Sequence, residues 1–367
     1  MRPRSILFIA PHPIEGPSTR FRICQFLPAL EAAGYACEVR PFLSSRLGPL
    51  AYRPGLAGKA AVTAWGFAKR LSDIVRAARA DLVYVLREAF PIGPAGFERA
   101  MQAACGRLVF DFDDAIWAPA TNYENPLDRF RDWSRPAKLI ASARRTVVGS
   151  EYLAEYARRH APDPERVIVI PTVVDTALFR PGSPRVDDDI VVGWIGTPRN
   201  TPYLQNVWPS LFAAWRADRR LRFVFVGAEP FETGGAPVRF EPWRLADEIA
   251  AVQGFDIGVM PLPDDEQARG KCGFKIVEYM ACGVAAIASP VGANCEVLRD
   301  GETGILANSP QQWTRAVLDL AAQTPLRERM GLAARERAVR RYSLAAMSDR
   351  FVETIRMAAE ESVGRAT

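Results

Sequence analysis

The residues with the clearest chemical potential form a stretch of cations and glycines ahead of a helix-like run. The letters RGKCGFKIVE at residues 269–278 place Arg269, Lys271 and Lys275 around two glycines. A helix N-terminus attracts anions through its N–H groups and its dipole. Glycine lets a ligand approach the backbone, and lysine adds charge that a phosphate can use. The stretch therefore predicts a phosphate-binding loop.

Glu278 lies further along the same predicted helix and has two interpretations. A carboxylate in a nucleotide site accepts hydrogen bonds from the vicinal hydroxyls of a ribose. The alternative is an exposed acid that pairs with Lys275 at the i,i+3 spacing. The cations and glycines nearby favour the ribose-binding interpretation.

A second polar group, the acidic run DFDD, ends a predicted strand at residues 108–112. A D-x-D pattern can hold a divalent metal, because hard cations prefer carboxylates. The acids lie in the first half of the chain, however, whereas the cationic stretch lies in the second. We therefore predict no metal site and assign Asp113 as a carboxylate that orients or deprotonates an acceptor hydroxyl, with Asp114 beside it. The alternative is a pair of N-capping acids.

Alternating strand and helix patterns must position these groups. Such alternation predicts two doubly wound parallel sheets, which carry ligands at the carboxyl ends of their strands. Further candidates lie at predicted strand ends. Those for the phosphate-bearing donor are Gly16, Gly196, Thr197, Arg199 and Trp243, and those for the second substrate, the acceptor, are Arg20, Arg87 and Glu88. The first loop lacks the G-x-G-x-x-G pattern, which argues against a nicotinamide oxidoreductase. Facing strand ends would form a cleft for a phosphate-bearing donor and a second substrate.

The domain boundaries follow from a break in this alternation. The run before residue 190 contains three prolines, a glycine and three consecutive aspartates. We predict an N-terminal acceptor domain at 1–175, a linker at 176–189, a donor domain at 190–344 and a C-terminal helix at 345–367.

Composition narrows the class of protein. The 367 residues are 49% hydrophobic and 24% charged, with six scattered cysteines and two histidines. No C-x-x-C pair exists, so a zinc site or a disulfide framework is not expected, and a reduced, cytoplasmic setting is. Neither a secretory signal nor an apolar run long enough to span a membrane is present in the sequence given.

Charge is uneven along the chain. Residues 1–180 hold 25 Lys and Arg against 18 Asp and Glu, whereas the remainder holds 22 against 24. The basic half would suit phosphate groups or an anionic membrane surface, and we expect no nucleic-acid partner. The absence of a dense basic tract favours an ordinary solvated face. Residues 46–70 mix aromatic and basic side chains, which indicates either a membrane or acceptor contact or, as favoured, core positions of a helix for Trp65 and Phe67.

Taken together, these motifs resemble the retaining glycosyltransferases of family 4, which have the GT-B fold. The resemblance covers essentially the whole chain and is strongest in GKCGFKIVEYMACGVAAIASPVGANCEVLRDGETGIL at residues 270–306. VVGWIGTPRNTPYL, VIVIPTVVDTALF, VVGSEYLAEY, LREAFPIGP and DFDDAIW support it.

The resemblance implies two Rossmann-like domains, a final helix that crosses back onto the first, and a nucleotide diphosphate sugar, UDP- or GDP-linked, as donor. No cofactor or metal is implied. Glu278 matches the family acid that binds the ribose, whereas Gly270 occupies the position of the acid that faces the sugar. The predicted donor-binding residues of this loop are Gly270, Cys272, Gly273, Phe274, Lys275 and Glu278, and Arg269 and Lys271 are the predicted catalytic cations together with Asp113.

The predicted function is transfer of a sugar to an acceptor hydroxyl with retention of anomeric configuration. The acceptor would be a glycan or a lipid-linked glycan, reached in the cytoplasm or at the inner face of the membrane. Two alternatives stay open: a non-catalytic nucleotide-sugar sensor or assembly subunit, and an epimerase that acts on a nucleotide sugar.

Overall fold

Strands in this computed structural model form two parallel sheets. The structure describes residues 4–44, 56–119, 121, 126–183 and 188–360. Residues 46–55 of the predicted basic and aromatic segment, and residues 184–187 of the predicted linker, lie outside the described residues. Each described sheet has six strands, and all neighbouring pairs run parallel. The predicted doubly wound α/β architecture is confirmed.

The first sheet has the strand order β2-β1-β3-β4-β5-β6. Its strands are β1 Arg4–Ala10, β2 Tyr35–Pro41, β3 Leu82–Leu86, β4 Leu108–Phe112, β5 Arg145–Val148 and β6 Val167–Val169. The helices around it are α1 Pro17–Arg22, α2 Leu27–Ala32, α3 Leu56–Ala77, α4 Gly96–Cys105, α5 Arg135–Ser142 and α6 Glu151–His160. Every residue of β3 and β4 is buried, as expected for central strands covered on both faces.

The second sheet has the order β12-β11-β10-β7-β8-β9. Its strands are β7 Ile190–Ile195, β8 Leu221–Val226, β9 Val238–Glu241, β10 Ile257–Met260, β11 Ala285–Ala288 and β12 Gly304–Leu306. Its helices are α7 Thr201–Ala217, α8 Glu248–Gln253, α9 Glu266–Arg269, α10 Phe274–Ala281, α11 Asn294–Val297, α12 Pro310–Ala322 and α13 Thr324–Arg341, and α14 Leu344–Glu360 ends the described chain.

The chain divides into two compact units, one around each sheet. The first contains residues up to 119, residues 125–172 and the chain from 347 onward, and the second contains 173–346 with 120–124. Helix α14 from residue 347 onward belongs to the first unit, where Phe351 stacks on Phe26 with 4.3 Å between ring centroids. Phe351 also lies 5.7 Å from the ring of Tyr84, in the centre of the first sheet. Burial of apolar side chains thus holds the last helix against the unit that contains the first strand.

The helical spacing of Phe21, Cys24, Leu27 and Leu30 predicts one helix over residues 19–33, and this prediction is wrong. The structure has α1, a 3-10 turn at Cys24–Phe26 and then α2. Pro28 lies in the first turn of α2, where its missing N–H costs nothing, whereas inside a continuous helix it would remove a hydrogen bond and clash with the preceding turn.

Helix α3 is held to the first sheet by a buried arginine. Arg70 donates from Nη2 to the Ala10 carbonyl at 2.9 Å and from Nη1 to the Arg40 carbonyl at 3.0 Å. Its Nη1 also pairs with Asp73 at 2.7 Å, and both side chains are fully buried. Ala10 and Arg40 belong to the neighbouring strands β1 and β2. One guanidinium therefore satisfies two strand carbonyls and one helix carboxylate.

The inward side of α3 thus carries a buried ion pair beside small apolar residues, whereas its larger aromatic side chains lie on the outward side. Trp65 is 58% exposed and Phe67 is 49% exposed. The favoured interpretation that both are core residues is wrong. The physical reason is that Arg70 and Asp73 occupy the side that faces the sheet, so the aromatic positions of the same helix face outward.

Tyr279 of α10 ties the middle of the second sheet together. Its hydroxyl accepts from the Ile195 N–H at 3.3 Å and donates to the Val259 carbonyl at 3.3 Å. A Cβ added at Gly258 would overlap the Tyr279 ring, so glycine is required there. These contacts fix α10 against the ends of β7 and β10. Among the described residues, no helix combines the length and the apolar character needed to cross a bilayer.

Candidate functional site

The loop before α10 places the start of this helix as the sequence predicts. Gly273 has a φ of +66° and is the N-cap of α10. An L-side chain disfavours that left-handed backbone, and an added Cβ would also lie 3.0 Å from Val297 Cγ2. Within the described residues no side chain caps this helix. The N–H groups and positive dipole end of α10 are therefore suited to an anion.

Asn294 lies next to this helix start and was not assigned from sequence. Its side chain is fully buried, and its Nδ2 donates to the Ser289 carbonyl at 2.9 Å. Its Oδ1 has no hydrogen-bond partner among the described residues and lies 3.6 Å from a Cβ added at Gly273. A buried acceptor without a partner is costly, so this oxygen is a candidate acceptor for a ligand hydroxyl. The sequence signal was available, since Asn294 ends the glycine-rich unit at residues 270–294.

Lys275 reaches from α10 to the end of β7. Its Cε lies 3.0 Å from a Cβ added at Gly196, and its Nζ lies 5.6 Å from the Trp194 ring centroid. A side chain at Gly196 would also overlap Trp194. Glycine is therefore required at this strand end, where Trp194 and the Lys275 side chain pack against the backbone.

Three strand-end loops of the second unit converge at Gly196. A Cβ added at Gly227, which follows β8, would overlap the Gly196 carbonyl oxygen and lie 3.3 Å from Trp243 Cβ. Gly227 also has a φ of +76°. Trp243, after β9, donates from Nε1 to Glu248 Oε1 at 3.2 Å. The structure therefore brings Gly196 and Trp243 together, and it adds Gly227 and Glu248, which sequence reasoning had not assigned.

The other predicted residues after β7 lie at the surface. Thr197 and Arg199 are exposed, and Thr197 Oγ1 accepts from Asn200 Nδ2 at 3.3 Å. Arg199 is an exposed cation near the start of α7, and its role in donor binding stays a prediction.

Lys271 lies over a buried tyrosine that sequence reasoning missed. Its Nζ is 5.8 Å from the centroid of Tyr203, which is 4% exposed and donates to Gln267 Oε1 at 3.1 Å. An ammonium over an aromatic face is stabilised by the ring quadrupole. Cys272, between the two lysines of this loop, is buried, and Gly270 is a buried C-cap of α9 with an ordinary φ of −73°.

Arg269 has a carboxylate partner that the sequence interpretation did not include. Its Nε lies 2.6 Å from Asp264 Oδ1 and its Nη2 lies 3.0 Å from Oδ2. Both side chains are about half exposed or more, at 48% and 63%. Hydrogen bonding to Arg269 lowers the pKa of Asp264, so this pair is ionised and neutral overall. The charge of Arg269 is therefore largely compensated by Asp264.

Glu278 is 3% exposed, on the buried side of α10. The alternative in which it is an exposed helix acid is therefore wrong. Its charge contributes, after burial, to raising the pKa of the neighbouring Cys282 thiol to about 12. Burying a carboxylate costs free energy unless the carboxylate is hydrogen-bonded. The buried position of Glu278 therefore favours a functional role over that of a solvated helix acid.

In the first unit, Asp111 is a buried structural carboxylate. It is fully buried and accepts from Arg22 Nε at 3.1 Å and from Tyr84 Oη at 2.7 Å. Arg22 also donates from Nη2 to Asp111 Oδ1, so both carboxylate oxygens have partners. The first acid of the D-x-D pattern is thereby occupied. Among the described residues no cluster of three His, Cys, Asp or Glu could hold a metal ion.

Asp113 is held by residues from two strand-end loops. Its Oδ2 accepts from Ser18 Oγ at 2.9 Å, and its Oδ1 accepts from Arg87 Nε at 2.5 Å. Arg87 Nη2 lies 3.5 Å from Asp114 Oδ2. The structure thus brings three predicted residues, Arg87, Asp113 and Asp114, into one cluster and adds Ser18. The N-capping interpretation does not account for the Arg87 contacts.

The pKa of Asp113 bears on its predicted role. Burial alone would raise this pKa, but the charge and hydrogen bond of Arg87, together with Arg22 and Ser18, lower it to about 2. A carboxylate with so low a pKa is a weak general base, since efficient proton transfer needs a pKa near the working pH. Of the two predicted roles, orienting a hydroxyl fits this site better than deprotonating it.

The remaining predicted residues of the first unit, Gly16 for the donor and Arg20 and Glu88 for the acceptor, lie around the same strand ends. Gly16 precedes α1, and an added Cβ would lie 2.9 Å from His12 Cβ, so glycine is needed for packing. Arg20 stacks on Phe21 at 4.1 Å. Glu88 accepts from Arg131 Nη2 at 2.7 Å, and burial raises the pKa of Glu88 despite this partner. Arg131 was not assigned from sequence.

Each unit carries polar and charged side chains at the strand ends of a parallel α/β sheet, and this fold defines the class of protein. Family models match most of the chain: "Glycosyltransferase Family 4" over residues 23–178 and "Glycosyl transferases group 1" over residues 190–323. Together they span both units. The chain belongs to the family 4-like, group 1 glycosyltransferases with the GT-B fold.

Curated relatives match at lower coverage. The D-inositol 3-phosphate glycosyltransferase of Segniliparus rotundus is 24% identical over 248 residues, which is 60% of this chain and 54% of the relative. The alpha-maltose-1-phosphate synthase of Mycolicibacterium smegmatis is 25% identical over 228 residues, or 53% of this chain and 58% of the relative. The chain thus spans a little over half the length of the curated relatives it matches.

Solved structures agree on the fold. Anabaena Alr3699/HepE, in a complex with UDP and glucose, superposes with a TM-score of 0.73 at 17% identity, covering 96% of this chain and 99% of that one. Sucrose-phosphate synthase from Thermosynechococcus elongatus gives 0.72 at 16% identity, with 96% and 98% covered. At this identity the likeness establishes the fold alone.

Proposed function

We propose that this chain transfers a sugar from a nucleotide diphosphate sugar to an acceptor hydroxyl, with retention of anomeric configuration and without a metal. The observation that carries the proposal is the start of α10. There the Gly273 N-cap, Lys275 and an Asn294 oxygen that has no hydrogen-bond partner in the described part of the chain lie around one helix N-terminus. A phosphate would contact the backbone N–H groups and Lys275 there, and a sugar or ribose hydroxyl would donate to the Asn294 oxygen.

In this proposal the second unit binds the donor. Lys271 and Lys275 neutralise the diphosphate as it departs, which is the main catalytic contribution because charge develops there in the transition state. Glu278 accepts the ribose hydroxyls. The two lysines supply the positive charge that a divalent cation supplies in other transferases, which is the ground for metal independence.

The first unit binds the acceptor. Asp113, ionised and held by Arg87 and Ser18, accepts a hydrogen bond from the acceptor hydroxyl and orients its oxygen. The acceptor oxygen arrives on the face that the diphosphate leaves, which accounts for retention. A glycan or lipid-linked acceptor, and work in the cytoplasm with peripheral contact to the inner membrane face, belong to this proposal on the strength of the basic first half.

The donor is a UDP- or GDP-sugar, and UDP is favoured because the Anabaena HepE structure holds UDP. The test begins with thermal-shift screening against a panel of nucleotide sugars, followed by transfer assays in excess chelator. We expect transfer at full rate with chelator, and an NMR spectrum of the product with the anomeric configuration of the donor. Strict dependence on manganese, or inversion, would contradict the proposed mechanism.

A second candidate, a nucleotide-sugar sensor without catalysis, is favoured by one observation. Gly270 occupies the position of the acid that faces the sugar in the family that the sequence resembles, and the structure makes it a buried helix cap. Tight donor binding with neither transfer nor hydrolysis across an acceptor screen would support this candidate. Release of an altered free sugar without any acceptor would instead indicate the epimerase.

A further inference from the structure

Helix α11, Asn294–Val297, is a single turn that packs against the start of α10. Its first residue is Asn294, whose Oδ1 is the proposed acceptor for a hydroxyl of the donor. Its last residue is Val297, whose Cγ2 lies 3.0 Å from a Cβ added at Gly273, the N-cap of α10. A shift of this one turn would therefore move the Asn294 oxygen and loosen the packing at Gly273 together.

The turn that precedes α11 fixes one end of the helix. Asn294 Nδ2 donates to the Ser289 carbonyl at 2.9 Å, and the Ser289 hydroxyl accepts from the Leu262 N–H at 2.9 Å. Gly292 has a φ of +52°, and a Cβ added there would overlap the Arg269 carbonyl oxygen. The turn is thereby packed against the backbone that leads into the donor loop, and it determines where α11 begins.

The other end of α11 is held by an arginine of α13. The last carbonyls of a helix have no partners within the helix, so they need donors from elsewhere. Arg337 Nε donates to the Val297 carbonyl at 2.8 Å, and Arg337 Nη2 donates to the Glu296 carbonyl at 2.7 Å. A guanidinium suits this position because its N–H donors form a rigid fork that reaches two adjacent carbonyls at once.

Tyr342, which follows α13, reinforces this contact. Its Oη donates to the Glu296 carbonyl at 3.2 Å, and its ring centroid lies 5.9 Å from the Arg337 guanidinium. Both side chains are buried. The backbone of Tyr342 is itself fixed, because its N–H donates to the Ala338 carbonyl at 2.8 Å and its carbonyl accepts from the Val174 N–H at 3.1 Å. The end of α11 is thus bonded to a rigid part of the second unit.

The charge of Arg337 is not used in an ion pair with any described residue. Its hydrogen bonds go to the two carbonyls of α11. Burying a charged group costs free energy unless its donors are satisfied, and apolar residues of similar volume often stabilise a core as well or better. The buried guanidinium is therefore best explained by the carbonyls that it fixes and, through them, by the location of Asn294.

We propose that Arg337 is a positioning residue of the donor site. It holds the last two carbonyls of α11, together with Tyr342, and thereby keeps Asn294 Oδ1 in place for a hydroxyl of the bound donor. This inference rests on the proposed function, in which a nucleotide diphosphate sugar binds at the start of α10. Arg337 acts through Asn294 and not on the donor itself, so its loss weakens donor binding by displacing that oxygen.

The first test is a double-mutant cycle on the full chain, with the affinity for UDP-glucose measured by calorimetry. We expect Arg337→Met and Asn294→Ala each to weaken binding by roughly two- to tenfold, the range that one hydrogen bond contributes. Because both changes act on the same contact, the double variant should bind about as well as the weaker of the two single variants. Losses that multiply in the double variant would overturn the inference.

Arg335 offers a matched control on the same helix. It also donates to backbone carbonyls, those of Thr176, Phe179 and Ala281, and none of these belongs to α11. Arg335→Met should lower the free energy of unfolding as Arg337→Met does, but it should leave the affinity for UDP-glucose unchanged. An equal loss of affinity in both variants would show that general destabilisation is the cause and would overturn the inference.

Two smaller changes keep the inference testable if Arg337→Met folds poorly. Tyr342→Phe removes only the hydroxyl that donates to the Glu296 carbonyl, so it should weaken UDP-glucose binding by up to about threefold. Arg337→Lys keeps a cationic donor beside the same carbonyls and should retain most of the parent affinity. In transfer assays, Arg337→Met should raise the donor KM and leave kcat nearly unchanged, because the lost contact is made in the ground state as well. Parent-like affinity in both Arg337→Met and Tyr342→Phe would overturn the inference.

Hydrogen exchange on the free chain separates failure of this inference from failure of the proposed function. The Leu298 N–H donates to the Asn294 carbonyl at 3.0 Å, so its exchange reports on α11 without any ligand. Faster exchange of this amide in Arg337→Met, together with weaker UDP-glucose binding, supports the inference. Normal donor binding by the parent chain, with exchange and affinity unchanged in Arg337→Met, overturns this inference alone. A parent chain that binds no nucleotide sugar overturns the proposed function and the inference with it.

Discussion

Asp113 and Arg87 form an ion pair with 2.5 Å between Oδ1 and Nε, and Arg87 makes it from a left-handed backbone with a φ of 58°. Among the described residues, no other non-glycine residue has a positive φ. Such a conformation costs about 1–2 kcal/mol and persists where the surroundings require it. Backbone strain, a carboxylate and two strand ends therefore coincide at one place in the first unit, which is the strongest structural ground for a functional role there.

The first prediction concerns the pH dependence that this pair confers. The folded-state pKa of Asp113, about 2, lies below its ordinary value of 3.8. Its ionised form thus contributes about 2 kcal/mol of stability above pH 4, and this is lost as the pH falls from 4 through 2. Urea denaturation of the parent and of Asp113→Asn should show a stability difference that shrinks over this window. A difference that is constant from pH 7 to 2 would contradict the ion-pair assignment.

The second prediction tests the phosphate role of Lys275. Replacing it with alanine should lower kcat by roughly 10²–10³-fold, because a charge that stabilises the departing diphosphate is removed. Lys138→Ala is the matched control, since Lys138 is an exposed lysine of the first unit that pairs with Asp132 at 2.7 Å. Initial rates of transfer at saturating donor are the measurement. Similar rates for the two variants would remove Lys275 from the mechanism.

The third prediction concerns Glu278 and the ribose. Glu278→Gln keeps the size of the side chain but loses its charge, so nucleotide affinity should fall by about 1.5–3 kcal/mol, the value of a hydrogen bond to a charged group. Titration calorimetry with UDP and GDP, beside a thermal melt of each protein, measures this. An unchanged dissociation constant in a stably folded variant would refute the ribose assignment.

The fourth prediction separates backbone strain from close packing at the donor-side strand ends. Gly227 and Gly235 both have positive φ, +76° and +81°, but only Gly227 is in contact with the Gly196 carbonyl, whereas a Cβ at Gly235 meets nothing within 4 Å. Gly235→Ala should cost about 1 kcal/mol of unfolding free energy, from strain alone. Gly227→Ala should cost clearly more and weaken nucleotide binding. Equal costs in denaturant titrations would mean that the loops after β7 and β8 are further apart than the structure has them.

The fifth prediction addresses the anchor of α3. Arg70→Ala should destabilise the first unit by about 1–3 kcal/mol, because Asp73 loses its buried partner and keeps Arg40 at 2.7 Å, and because two strand carbonyls lose their donor. The double variant Arg70→Met with Asp73→Leu removes both charges and should recover much of that loss. Chemical denaturation followed by far-ultraviolet circular dichroism provides the values. A double variant less stable than Arg70→Ala would show that the carbonyl contacts of Arg70, rather than its ion pair, hold the helix.

Local sequence was enough for the architecture. Buried apolar runs such as Leu108–Phe112, each followed by a helical pattern, predicted parallel sheets, because strand and helix periodicity are properties of neighbouring residues. The start of α10 at Gly273 is likewise predictable from the sequence, since a glycine and flanking cations ahead of an apolar helix are local features. Pro28 is also a local signal, because a proline inside residues 19–33 argues against one continuous helix there.

Only the tertiary structure decided which distant residues meet. The contacts of Asp113 with Ser18 and Arg87 join residues separated by 95 and 26 positions, and no pattern in the chain encodes that distance. The same holds for the buried Arg70, which contacts the Ala10 carbonyl from the inward side of α3 and leaves Trp65 on the outward side. A helix shows which residues share a face, but the direction of that face depends on what the neighbouring strands need, and those strands are contributed by other parts of the chain.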